Sequence, residues 1–166
     1  MLASEHLDHS YLRSLKTDTA GILSADLGDA GKIKKVIAIY NDIKSLSERF
    51  PEDVETREGT LRIAFNLIVD YSNARQIKKM EEVFHDAEAL SAPYPENVGI
   101  QVAKARIATI VITEYAEAGN LDGARSLYRE IASMAENHPD VTAFREVQSA
   151  AAVALIAKID EMDERV

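Results

Sequence analysis

Residues 33–51 read IKKVIAIYNDIKSLSERFP, and their pattern of apolar residues returns at 77–95 and at 121–139, each time 44 residues further on. Within each stretch the apolar residues recur at i, i+3, i+6 or i+7, and i+10, which is the spacing of one face of an amphipathic helix. An internal repeat of this period predicts stacked helical units. The apolar positions that keep the interval are Ile33, Val36, Ile39, Tyr40, Ile43 and Leu46; Ile77, Met80, Val83, Phe84, Ala87 and Leu90; and Leu121, Ala124, Leu127, Tyr128, Ile131 and Met134.

A proline closes each stretch. Pro51, Pro95 and Pro139 keep the 44-residue interval, and each stands between an aromatic ring and an acidic residue. Proline is excluded from a helix interior but accepted in a first turn, so these residues predict helix boundaries. Turns are also predicted at 28–31, 72–74 and 118–120, where glycine and asparagine tolerate a left-handed backbone.

A second apolar stripe precedes each repeated stretch, at Ala20, Leu23 and Leu27 and again 44 and 88 residues later. After Pro139 we expect the register to slip by one residue, with a last stripe at Phe144, Val147, Ala151, Leu155, Ile159 and Met162 that caps the array. Helical pairs of this kind bury their apolar faces only by stacking on one another, so the expected fold is an all-α solenoid forming one domain over 1–166. The seven predicted helices span about 9–27, 31–49, 53–72, 75–92, 97–117, 120–136 and 141–163.

The third unit resembles the tetratricopeptide (TPR) repeat through Tyr115, Gly119, Leu121, Ala124 and Tyr128, with Pro139 beyond them. The resemblance implies a right-handed solenoid of antiparallel helix pairs, with units at about 9–51, 53–95 and 97–139 and a capping helix at about 141–163. A rival interpretation is a HEAT-like repeat, because TPR units usually span about 34 residues whereas HEAT and armadillo units span about 40–47. The first helices also depart from the TPR pattern. The family's bulky residue is replaced by Ala20, Ala64 or Ala108, and its small residue one turn later by Ser24, Ile68 or Ile112.

Composition excludes several classes of protein. Nineteen Lys and Arg against 28 Asp and Glu give a net charge of −9, which disfavours binding to nucleic acid, and zero Cys excludes thiolate chemistry. We expect no membrane association, and the first fifteen residues are not typical of a secretory or transit peptide, so a cytoplasmic location is expected.

No motif predicts catalysis, a metal or a cofactor. Gly28-Asp29-Ala30-Gly31-Lys32 resembles the end of a phosphate-binding loop, but Ile33 stands where Ser or Thr would bind Mg²⁺. His6 and His9 have helical spacing for two metal ligands but lack a third. The carboxylates and histidines form no pattern of nucleophile, base and orienting group, so we expect a protein that is not an enzyme.

The TPR resemblance implies a concave groove that binds a partner. Its groove positions fall on Asp18, Gly21 and Ala25 in the first unit, on Arg62, Phe65, Asn66 and Val69 in the second, and on Arg106, Thr109 and Thr113 in the third. Arg62 and Arg106 are 44 residues apart, so we expect neighbouring helices to present two guanidinium groups able to hold a carboxylate. The alternative is that they pair with the chain's own Asp18, Glu58 or Asp70. The full carboxylate clamp of chaperone-binding TPR domains is absent, because Gly21, Ala25 and Ile110 occupy clamp positions.

The expected function is a non-catalytic scaffold that binds a peptide or helix of a partner protein. One alternative is a structural module that forms a homodimer through its Ala-rich C-terminal helix. The other is a helical domain, HEAT-like in packing, that senses a small molecule in the groove.

Overall fold

The computed structural model describes residues 9–163, and the side chains of residues 9–160. Over that range the chain forms seven α-helices and no strand, so the predicted all-α class is confirmed. Every helix begins and ends within two residues of its predicted bounds. The helices are α1 (Ser10–Asp29), α2 (Ile33–Arg49), α3 (Val54–Asn73), α4 (Ile77–Ser91), α5 (Val98–Glu117), α6 (Leu121–Asn137) and α7 (Thr142–Asp163).

Side-chain caps fix the starts of three helices. Asp53 accepts a hydrogen bond from the Thr56 amide at 3.1 Å, and Asn97 accepts one from the Ile100 amide at 2.9 Å. Asn120 accepts one from the Gly123 amide at 3.1 Å. Each cap satisfies one of the amides that the first turn of a helix leaves without a partner.

The turns after α1, α3 and α5 place a left-handed residue at equivalent positions. Gly31 has a φ of 68° and Gly119 a φ of 79°, as predicted. In the middle unit the left-handed residue is Arg75, with a φ of 55°, which lies outside the predicted turn at 72–74. A residue with a side chain at such a φ destabilises the fold by about 1 kcal/mol relative to glycine. The middle unit therefore has a less favourable turn than the other two.

The even-numbered helices bury the repeated apolar positions. All eighteen are buried or half-buried, with Val36, Ile43, Met80 and Ala124 among the least accessible. The stripe predicted from the 44-residue interval is therefore confirmed as the inner face of α2, α4 and α6.

The first helix departs from the prediction. Leu23 was predicted on the buried stripe but is 46% exposed, whereas Arg13, Thr17 and Ser24 are buried. The hydroxyls of Thr17 and Ser24 donate to backbone oxygens of the preceding turn at 2.8 Å, so these buried polar groups are satisfied within the helix. As a result, α1 packs on α3 with a largely polar face.

The register slip predicted after Pro139 is wrong. Helices α3, α5 and α7 begin at 54, 98 and 142, so the 44-residue interval continues into the last helix. Phe144, Val147, Ala151 and Leu155 are buried as predicted, and Ile159 is half-buried. The side chain of Met162 lies outside the described residues.

An ion pair joins α1 to the start of α3. Arg13 Nε lies 2.5 Å from Asp53 Oδ2, with both side chains less than a tenth exposed, and the guanidinium lies 4.0 Å from the centre of the Phe50 ring. Burial by itself would raise the pKa of Asp53, but the Thr56 amide and the Arg13 guanidinium lower it below its ordinary value. The next unit repeats the ring contact, since Arg57 lies over Tyr94. Two of the aromatic residues that precede the repeated prolines thus stack on an arginine.

The helices make a regular set of contacts. Helix α1 contacts α3, α3 contacts α5, and α5 contacts α7. Each even-numbered helix contacts the odd-numbered helices before and after it in the chain. Each pair of neighbouring odd-numbered helices is therefore bridged by the even-numbered helix that lies between them in the chain. Side chains also join α2 to α4, since the Tyr40 hydroxyl donates to Asp86 at 3.2 Å and Lys44 lies 2.6 Å from the same carboxylate.

Candidate binding groove

A groove of about 640 Å³ runs between α3, α5 and the beginning of α7. Helices α3 and α5 supply its two walls, and α7 closes one side with Val141, the residue before its first turn, and Ala143. The residues that line the walls are Glu58, Leu61, Arg62, Phe65 and Asn66 from α3, and Val98, Gly99, Val102, Ala103 and Arg106 from α5.

The groove lining is mainly apolar. Phe65, Val102 and Val141 are half-buried and pack against the core, and Val98 is 37% exposed. Gly99 allows the two walls to approach, because a Cβ atom at this position would lie 2.6 Å from a Glu58 carboxylate oxygen. These residues form a surface able to hold an apolar side chain of a ligand.

Two exposed arginines flank the apolar lining. Arg62 Nη1 lies 3.5 Å from Asp18 Oδ1, and more than half of each side chain is exposed, so this ion pair contributes little. No carboxylate among residues 9–160 forms an ion pair with Arg106, which is also exposed. Arg106 is therefore the groove's available cation.

The structure brings together four of the seven groove residues predicted in the second and third units, on α3 and α5. Arg62, Phe65, Asn66 and Arg106 all line the groove. Val69 lines a separate cavity of about 110 Å³ between α1 and α3, which shares Phe65 and Asn66.

Thr109 and Thr113 do not line the groove, contrary to the expectation from the family's positions. Thr109 donates to the Ala105 oxygen and Thr113 to the Thr109 oxygen, each at 3.1 Å within α5. Thr113 instead contributes to a cavity next to Ala154 and Lys158 of α7. Because α7 covers this part of α5, the groove ends at the level of Arg106.

The Asn66 side chain is hydrogen-bonded to α1 and so is not free to contact a ligand in the groove. Its Nδ2 atom donates to Ser24 Oγ at 2.8 Å and to the Gly21 oxygen at 3.4 Å. The side chain therefore holds α1 against α3. The hydrogen bonds that the sequence pattern assigned to a ligand are made within the protein instead.

Sequence reasoning missed Val98, Val102, Ala103 and Val141. These residues line one groove only because the start of α7 docks on α5. The apolar pattern of a single helix does not predict that docking. The one available signal was the 44-residue interval itself, since Val98 follows Val54 at the start of the next odd-numbered helix.

Asp70, one of the suggested partners for the arginines, instead lies beside Gly28, where a Cβ atom would come within 2.7 Å of its carboxylate. Its Oδ2 atom is buried and has no hydrogen-bond partner among the described residues. Burial, and then the negative charge of Asp29, raise the pKa of Asp70 above its ordinary value.

We expect Asp70→Asn to stabilise the protein at neutral pH by about 1 kcal/mol, because it removes a charge that the folded state solvates poorly. A raised pKa in the folded state means that stability falls as pH rises from the ordinary carboxyl pKa through the folded one. The gain should therefore vanish at pH below the ordinary value. Urea denaturation of both proteins at several pH values measures it.

Asp29→Asn serves as the control for Asp70→Asn. It removes only the secondary cause of the raised pKa and leaves the buried oxygen unpaired, so its gain should be smaller. A loss of stability in Asp70→Asn at neutral pH would contradict this interpretation.

The described residues contain no metal-binding cluster of three or more His, Asp or Glu side chains. His6, half of the candidate metal pair, lies outside them. His85 lies 2.9 Å from Glu88 on an exposed surface, and His138 stacks on Phe144. In the described part of the chain, no helix has the length and apolar character to cross a membrane.

Comparison of the chain with protein-family models, curated proteins and solved structures finds no match. The groove offers an apolar surface with a cation at one end, which suits a ligand that combines an apolar group with a carboxylate.

Proposed function

We propose that this chain is a TPR-like α-solenoid that binds a peptide or helix of a partner protein in the groove between α3 and α5. The observation that carries the proposal is an apolar groove flanked by Arg106, a cation without an ion-pair partner among the described residues. No catalytic role is assigned to the protein in this proposal.

The solenoid proposal is supported by the order of helix contacts. Consecutive helices touch and are joined by three to six residues, and short connections of this kind favour antiparallel pairs. Helices α3, α5 and α7 begin at 44-residue intervals, as expected if the units stack by one repeated step. A TPR-like packing is proposed over a HEAT-like one on the strength of the third unit's motif.

The chemistry of the groove indicates what kind of segment would bind. An apolar side chain of the partner would pack on Phe65, Val98 and Val102, and removing these surfaces from water would drive association. A carboxylate of the partner would accept paired hydrogen bonds from the Arg106 guanidinium. In a chain of net charge −9, this local cation would select an acidic residue flanked by apolar ones.

A library of displayed random peptides tests the proposal without a known partner. We expect the wild type to enrich peptides that combine apolar residues with an acidic residue or a free C-terminal carboxylate. Synthetic copies of these peptides should bind Arg106→Glu about tenfold more weakly, because the substitution opposes the ligand's charge. Isothermal titration calorimetry measures the two dissociation constants.

Arg125→Glu is the matched control for Arg106→Glu. It makes the same change of charge at an exposed position of α6, outside the groove. Peptides that bind wild type and both variants equally would show that the groove is not the binding site, and a library that yields no enriched peptide would count against the proposal itself.

The size of the groove supports one other candidate function, the sensing of a small molecule. Pockets for such ligands span about 300–1,000 Å³, and this groove lies within that range. A panel of small amphipathic carboxylates in a thermal-shift assay separates the two candidates. Strong stabilisation by one compound, lost in Arg106→Glu, would favour the sensor.

A further inference from the structure

The outer face of α1 carries three exposed apolar residues, beside the exposed Asp18 and Asp26. Tyr11 is 73% exposed, Leu15 52% and Ile22 69%, although the face of the same helix against α3 is polar. A terminal helix of a repeat array usually carries polar residues on its outer face. Helix α1 instead places three large apolar residues there among the polar ones.

The 44-residue interval shows which way this face points. Leu15 and Ile22 are equivalent to Gly59 and Asn66 of α3. In α3 those two positions contact the preceding odd-numbered helix: a Cβ at Gly59 would clash with Thr17, and Asn66 donates to Ser24. Leu15 and Ile22 therefore face the place where an odd-numbered helix before α1 would lie.

The outer face of α7 has matching apolar residues at the other end of the row. Val153 is 68% exposed and Ile156 56%. They lie three repeat intervals after Gly21 and Ser24, the two α1 residues that accept hydrogen bonds from Asn66. Val153 and Ile156 therefore face the place where an odd-numbered helix after α7 would lie.

We infer that a second copy of this chain docks head to tail, with its α1 on α7 of the first copy as α3 docks on α1 within one chain. Continuing the interval places Ile22 of one copy against Val153 and Ile156 of the other, and Leu15 against Ser149. At the α1–α3 contact the equivalent residues are Gly21, Ser24 and Asn66, which are small or polar. The two ends carry larger apolar residues at the positions that the head-to-tail contact would bury.

Two properties follow from this arrangement. The contact joins two different surfaces, so each added copy leaves one free end of each kind and the assembly grows with concentration. Each copy carries a net charge of −9, so salt that screens the repulsion strengthens the association. Neither property involves the groove, and the inference stands independently of the proposed function.

Sedimentation velocity at increasing concentration tests the inference on the full chain. We expect wild type to form dimers and larger species, and Ile22→Glu and Ile156→Glu each to remain monomeric, with association weakened at least about tenfold by a charge placed in the contact. An equimolar mixture of the two variants should form a dimer and nothing larger. Each variant keeps one intact end, and those two ends are complementary.

Ala89→Glu is the matched control, since it adds the same charge at an exposed position of α4, away from both ends. It should associate as wild type does. Circular dichroism checks that all variants keep their helix content, which exposed substitutions should leave unchanged.

Three results would overturn the inference. A wild type that is monomeric at every concentration would show that no second copy docks, including the case in which another part of the chain covers α1. Dimers of Ile22→Glu alone would indicate a symmetric contact between two α7 helices. Dimers of Ile156→Glu alone would indicate one between two α1 helices.

Discussion

Replacing Asp53 by alanine is expected to destabilise the fold by about 3–5 kcal/mol, more than any other single polar substitution proposed for this chain. The carboxylate holds Arg13 at 2.5 Å and caps α3 through the Thr56 amide. Both side chains of the ion pair are buried, so the variant would remove the carboxylate that pairs with a buried arginine of the α1–α3 interface. Urea denaturation monitored by circular dichroism measures the change.

Two further variants separate the contributions of Asp53. Asn120→Ala removes only an exposed cap and should cost about 1 kcal/mol. Arg13→Met in the Asp53→Ala background should recover much of the lost stability, because both charges of this buried pair are then removed. A cost for Asp53→Ala no larger than that of Asn120→Ala would show that the ion pair does not hold α1 in place.

The same ion pair predicts a dependence on pH. Because Arg13 and the Thr56 amide lower the pKa of Asp53 in the folded state, its stabilisation is complete above the ordinary carboxyl pKa of 3.8. It is lost as pH falls through the folded value. The difference in stability between wild type and Asp53→Ala should therefore shrink in acid.

Phe144→Ala is expected to cost about 3–5 kcal/mol, because it removes a large side chain that is fully buried in the first turns of α7. The ring also stacks on His138 with centroids 5.3 Å apart, and so fixes the approach to the helix. Since Val141 and Ala143 line the groove from this same segment, the variant should also weaken peptide binding. Denaturation curves and titration of an enriched peptide measure the two effects.

Val153→Ala provides the comparison for Phe144→Ala. Its side chain lies on the same helix but is mostly exposed, so in dilute protein it should change stability by less than about 0.5 kcal/mol. If Phe144→Ala kept both stability and peptide affinity, the start of α7 would not form part of the groove.

Much of the fold was predictable because the buried positions of the even-numbered helices are apolar and repeat every 44 residues. Amphipathic periodicity alone therefore identified the buried face, and the prolines marked the ends. The prediction failed where that pattern does not hold. Helix α1 buries Arg13, Thr17 and Ser24, which a hydrophobic pattern assigns to solvent, and Arg75 adopts a backbone conformation that glycine marks in the other units.

The candidate site was predictable only in part. The repeat interval placed Arg62 and Arg106 on neighbouring helices, and the structure puts both on one groove. It could not show that Asn66 is engaged by α1, or that α7 ends the groove before Thr109. Those features depend on how close the helices approach, which residues such as Gly59 and Gly99 determine through contacts distant in sequence.

The most direct test of peptide binding in the groove is a nuclear magnetic resonance titration of isotopically labelled protein with an enriched peptide. If the peptide binds in the groove, the largest amide shifts fall on Val98, Val102, Arg106 and Val141. Shifts concentrated instead on the even-numbered helices, or on the outer faces of α1 and α7, would show that it binds elsewhere.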